Sequence, residues 1–135
     1  MKRAALGIRM HSGWGVLVAI SGEADSMEVI DRKRILITDS TIPKGSQPYH
    51  HAANLEFAQS EKYLGNCADA SERLAMAAID KVVRELDERR YRVAGAAVLL
   101  ASGRPLPPLA KILAAHPLIH TAEGEFFRKC RQASL

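Results

Sequence analysis

Aromatic residues make up only 5% of the 135-residue chain, with a single tryptophan. A surface that holds single-stranded nucleic acid by base stacking needs several exposed rings, and this chain has little from which to build one. Cysteine is almost as scarce. Cys67 and Cys130 are the only two, in no metal-binding or redox spacing, so they read as reduced thiols on apolar helical stripes and not as a disulfide framework. No long apolar run follows the basic start MKRAALGIRMHSG, which matches neither a secretory signal nor a membrane anchor. A cytoplasmic location with no membrane partner is the expectation. The phosphate-cradling G-x-x-x-x-G-K loop, the G-x-S-x-G nucleophile elbow and the H-E-x-x-H zinc motif do not occur, nor does any internal repeat or low-complexity segment.

What the chain does have suits one ordinary folded domain. At 47% apolar and 25% charged residues, it can bury roughly two thirds of its unfolded surface without metals or disulfides. A formal charge of +4 permits an anionic small molecule or nucleic acid as partner without requiring one. In AALGIRMH, Leu6, Ile8 and Met10 alternate with Gly7, Arg9 and His11, the period of a strand. A Ser-Gly turn leads to WGVLVAIS, an apolar run expected to be buried on both faces. MEVIDRKRILIT follows, its DRKR insert marking a tight turn or an edge strand's solvent face.

After the loop DSTIPKGSQP the apolar period lengthens, with Ala53, Phe57, Leu64, Ala68, Leu74, Ala78, Val82 and Leu86 at near-helical spacing. One helix over the whole stretch would run roughly 60 Å. Two helices, 48–65 and 69–90, broken at Gly65 and Asn66, are therefore expected, with one long bent helix as the alternative. VAGAAVLLAS, residues 93–102, has the pattern of a central strand, and two further helices complete the chain. The order β-β-β-α-α-β-α-α predicts an α/β fold. Its mixed sheet has three antiparallel strands plus one parallel strand, with helices packed on it.

This order, and the opening ALGIRMHSGWGVLV, resemble the ribonuclease H-like superfamily and most of all the first hairpin of RuvC-type resolvases. The matching residues are Gly7, Ile8, Gly13, Trp14, Gly15 and Val16. The resemblance covers residues 4 to 40 in motif and the rest in element order only, so the fold expected is a truncated one. It implies a catalytic aspartate at position 9, where this chain has Arg9, and another acid where it reads Ala101, Ser102, Gly103 and Arg104. Two-metal phosphodiester cleavage requires carboxylates around the ions. Their replacement by arginine implies a module without nuclease chemistry, in which Arg9, His11, Ser102, Arg104 and Arg128 are the candidate anion-binding residues.

The stretch HPLIHTAEGEFFR, residues 116–128, offers a second reading. If the last helix starts near Pro117, His116, His120, Glu123 and Phe127 share a face at spacings of four, three and four. Two imidazoles and a carboxylate can ligate zinc or supply a general base with an orienting acid. If the helix instead starts at Thr121, the same residues are good helix design and no more. His50 and His51 open the first helix and point in different directions, so only one can join His120. Three functions follow as expectations. The first is a non-nuclease ribonuclease H-like module that binds an anionic ligand or nucleic-acid backbone. The second is a small hydrolase using His120, Glu123 and His50, possible metal assistance included, with no metal ligand assigned and no cofactor named. The third is a structural subunit that pairs as a homodimer.

Overall fold

Period-two alternation over the first 36 residues produces three strands in the computed structural model, which describes residues 1–98 and 105–133, with side chains to residue 128. Strand β1 spans Lys2–Met10, β2 spans Trp14–Ser21 and β3 spans Glu28–Leu36. They form an antiparallel meander, with Ile8 opposite Leu17 and Leu17 opposite Lys33. The β1–β2 turn depends on Gly13. Its φ is +82°, and a Cβ there would stand 2.0 Å from the Thr38 hydroxyl, a conformation and a contact that glycine alone accepts without strain.

Two short loops and a short helix, α1 (Pro48–Ala52), lead into α2, which runs unbroken over Phe57–Glu88. The expected break at Gly65 and Asn66 is absent, and the helices begin and end elsewhere than predicted. Both residues lie on the exposed side of α2, where glycine costs a helix about 1 kcal/mol but forces no bend. The interruption falls at residues 53–56 instead. There the Asn54 side-chain amide donates to the His50 carbonyl at 3.2 Å and Glu56 takes an extended conformation ahead of α2. Ser60, Leu64, Cys67, Ala70, Ser71, Ala75, Ile79, Val82 and Leu86 line the buried face of α2, while Phe57 is exposed.

The long helix is the crossover to β4 (Tyr91–Val98), which pairs parallel to β1. The sheet order is β3-β2-β1-β4, so the chain has the expected α/β mixed sheet. β4 is not central as its apolar run suggests; among the described residues it is an edge. The last part of that run, residues 99–102, lies outside the described residues, as do Ser102 and Arg104. The DRKR insert sits on β3, the opposite edge. Helices α3 (Leu109–Leu113) and α4 (His116–Ala133) complete the fold.

All the buried positions of the meander face the helices. Leu6, Ile8, Met10, Leu17, Ala19, Ile35 and Ile37 meet Cys67, Ala75, Ile79, Val82, Leu86, Phe126 and Phe127 in one core. The alternate positions of β2, Trp14, Val16, Val18 and Ile20, are only half-buried. β2 is thus covered fully on one face and not on both, because no described helix packs against the other side of the sheet. No helix among the described residues is long and apolar enough to cross a membrane.

Candidate metal centre

Helix α4 starts at His116, with Pro117 in its first turn, where the missing N–H interrupts no helical hydrogen bond. The amides of Leu118 and Ile119 both donate to the Ala115 carbonyl, at 3.0 and 3.1 Å. The alternative start at Thr121 is not the one adopted: Thr121 is interior, its hydroxyl donating to the Pro117 carbonyl at 3.1 Å. Ile119, Ala122, Phe126 and Phe127 anchor the helix to the core. That register sets His116, His120 and Glu123 on one face, turned toward α1.

Pro48 starts α1 and is itself buried, so the next two residues are held against α4. The backbone amide of His50 donates to Glu123 Oε1 at 3.1 Å, and His50 Nδ1 lies 2.6 Å from Glu123 Oε2. Where a carboxylate oxygen accepts, the ring nitrogen facing it is the donor, so Nδ1 carries the N–H of this contact and Nε2 is the ring nitrogen left for another partner. Glu123 is 6% exposed, and both its oxygens are engaged by the same residue. The ring of His50 stands 5.4 Å from that of His116 and 4.8 Å from that of His120, centroid to centroid. His116 Nε2 and His120 Nε2 are 2.9 Å apart, within hydrogen-bond distance.

One ligating nitrogen from each of the three histidines therefore falls within 4.8 Å of the others. Zinc–nitrogen bonds of about 2.0–2.1 Å separate two ligands of a tetrahedral ion by about 3.4 Å. The His116–His120 pair already approaches that spacing, and the exposed rings of both residues have room to rotate toward His50. A carboxylate behind a ligating imidazole is the usual arrangement for fixing its tautomer and raising its basicity.

The other candidate residues are placed as follows. His50, His120 and Glu123 come together. His116 joins them, a residue that spacing alone left open because Pro117 follows it. His51 points away and packs its ring 4.6 Å from that of Tyr63. Tyr63 donates to the Pro43 carbonyl at 2.5 Å, and burial pushes its hydroxyl above the ordinary tyrosine range. Burial also raises the Cys67 thiol, which is 3% exposed; the Cys130 side chain lies outside the described residues. Arg9 is exposed on the sheet face away from the helices and does not join the histidines. It lines an open groove of about 660 Å³ with Arg32, Val16, Val18 and Val98. His11 lines that groove too, and with Arg128 it lines a second one, of about 430 Å³, one wall of which is Glu123.

Comparison of the chain with protein-family models, with curated proteins and with solved structures returned no match.

Proposed function

We propose that the protein is a metal-dependent hydrolase whose centre is a divalent ion, zinc by ligand type, held by His50, His116 and His120. The observation that carries this reading is the convergence of one ligating nitrogen from each of the three histidines within 4.8 Å of the others, with the Glu123–His50 hydrogen bond fixing the ring of His50. Three neutral imidazoles suit zinc and leave a fourth position for water. Zinc lowers the pKa of a bound water to about 7, which makes hydroxide available near neutral pH. His50, His116 and His120 would hold the ion, which when bound would supply a Lewis acid and an activated water for attack on an electrophilic carbon or phosphorus. Glu123, bound to His50 and buried, is a positioning residue and not the general base.

The alternative, an anion- or nucleic-acid-binding module of ribonuclease H-like descent, draws on the Arg9–Arg32 groove. His11 lines the same groove; this reading ranks second because the remaining walls are apolar and the cluster of His50, His116 and His120 is no part of it.

Metal analysis of purified protein after zinc exposure and dialysis tests the lead reading. One ion per chain is expected, falling to trace levels in His116→Ala/His120→Ala, with hydrolysis of an activated ester tracking the metal. Full zinc retention in the double variant, or none in the wild type, overturns it.

A further inference from the structure

The face of the sheet turned away from the helices has a charge pattern of its own. Register places Arg9, Val16 and Arg34 in one row across β1, β2 and β3, and Gly7, Val18 and Arg32 in the next. Arg9, Arg32 and Arg34 are all exposed. The four strands hold only two carboxylates, Glu28 and Asp31. Both take the other side, since they stand opposite Ser21 and Ala19, which are buried toward the helices. Glu23, in the β2–β3 loop, lines a separate groove at the far end with Arg3 and Glu28. Neither Arg9 nor Arg32 has an ion pair among the described residues, and Arg34 lies 4.2 Å over the Trp14 indole.

Between these cations the surface is apolar. Val16, Val18 and Ile20 of β2 are half-buried, Val29 opposite Ile20 is 65% exposed, and Leu36 opposite Trp14 is 63% exposed. β1 and β4 are a parallel pair, and parallel strands are as a rule covered on both faces. A valine and isoleucine ridge flanked by arginines is the complement of an amphipathic helix with acidic flanks. Trp14 to Ile20 extends about 20 Å, the length of about 13 helical residues. Arg9 and Arg34 stand two strand spacings apart, about 10 Å, close to the width of a helix, about 10–12 Å. The cations therefore fall on its two sides.

Other occupants fit this face less well. A second copy would set the same arginines against each other, a like-charge contact that complementary interfaces avoid. Single-stranded bases need free rings, and the indole of Trp14 already has His11 stacked on it at 4.3 Å as well as Arg34 over it. Sites for small molecules enclose most of their ligand, which an open sheet does not.

We infer that the open face of the sheet docks an acidic amphipathic helix of a partner protein, its apolar stripe along β2 and its carboxylates against Arg9 on one side and Arg32 and Arg34 on the other. The face is independent of the metal centre, which belongs to the helix layer on the far side of the sheet.

Two designed peptides of about 14 residues, the length set by the helical rise, test this on the metal-free full chain. Both carry leucines at spacings of three and four on an alanine background, flanked by glutamates in one and by lysines in the other. Each is titrated into 15N-labelled protein. The glutamate peptide is expected to bind at least tenfold tighter than the lysine peptide, and to lose most of that advantage in about 1 M salt. The amides of Arg9, Arg32 and residues 14–20 are expected to shift while those of His116 and His120 stay in place. Val18→Asn is expected to weaken the complex several-fold. Arg9→Glu/Arg32→Glu is expected to reverse the preference and take the lysine peptide tighter, a gain that a misfolded variant cannot give. No binding of the glutamate peptide at millimolar concentration, equal binding of the two peptides, or shifts confined to the helix layer overturns the proposal. Oligouridylate RNA and phosphatidylserine vesicles are titrated in parallel. If either binds tighter than the glutamate peptide and is lost in Arg9→Glu/Arg32→Glu, the face belongs to nucleic acid or lipid and the helix partner is overturned.

Discussion

Glu123 is the residue on which the most depends. A buried carboxylate is costly unless its oxygens are hydrogen-bonded, and both oxygens here answer to His50, one through the backbone and one through the ring. Glu123→Gln keeps the volume but replaces one acceptor with an NH₂ group, which cannot accept from the His50 Nδ1–H. Zinc affinity is expected to fall about 10- to 100-fold, the usual loss when the partner of a ligating histidine is removed. Competition with a chromogenic chelator would measure it; unchanged affinity would mean that His50 is oriented by something else. The spacing of His120 and Glu123 was legible in the sequence because helical periodicity depends only on neighbours in the chain. His50 was legible only as one of two adjacent candidates. What separates it from His51 is the docking of α1 on α4, a contact between residues 73 positions apart, which no local pattern encodes. His116 was obscured by Pro117, although proline in a first helical turn is favourable and the i, i+4 pair was already visible.

Among the elements, α2 and β3 show how an exposed charge pattern can be fixed by tertiary contact. Read locally, DRKR is a solvated run. In the fold, Lys33 from it bonds Glu85 near the end of α2, and Arg89 donates to the Ile30 carbonyl at 2.9 Å. The bond to Lys33 holds the Glu85 carboxyl below its ordinary value of 4.5, and the bond to Glu85 lifts the Lys33 ammonium above 10.5. A depressed acid contributes stability that is present above its unfolded pKa and lost as pH falls through the folded one. A raised base contributes below its unfolded pKa and loses the contribution as pH rises through the folded one. The bridge therefore acts between those limits. Glu85→Gln is expected to lower the urea midpoint at pH 7, to converge on the wild type as the pH falls through the folded-state pKa of Glu85, and to lose most of its effect in about 1 M salt, where exposed charges are screened. A difference that persisted at acid pH would assign the effect to packing. The helix boundaries were poorly legible for a related reason. Gly65 is a breaker by propensity, but the buried face from Leu64 to Leu86 holds α2 together across it.

At the scale of the whole molecule, the meander and the parallel return of β4 were readable from strand periods and one long crossover. The sidedness of the sheet was not. VAGAAV has the apolar count of a central strand, but four of its residues are alanine or glycine, and so little bulk gives neighbours little to pack against. WGVLVAIS likewise looks two-sided because valine suits a pleated, half-covered face as well as a buried one. Adjacent residues of β2 give a direct test. Leu17 is fully buried against the helices, while Val18 turns to the other face and is half-buried. If the helices cover one side only, Leu17→Ala removes a filled core position and costs about 2–5 kcal/mol. Val18→Ala then loses only partial contact and strand preference, about 1 kcal/mol or less. Urea unfolding of the two variants measures both. A Val18→Ala cost equal to that of Leu17→Ala would mean that the second face is covered in solution. Sedimentation of wild type and Val18→Glu would then show whether the cover is another copy of the chain, since a buried carboxylate at that position would split such a pair.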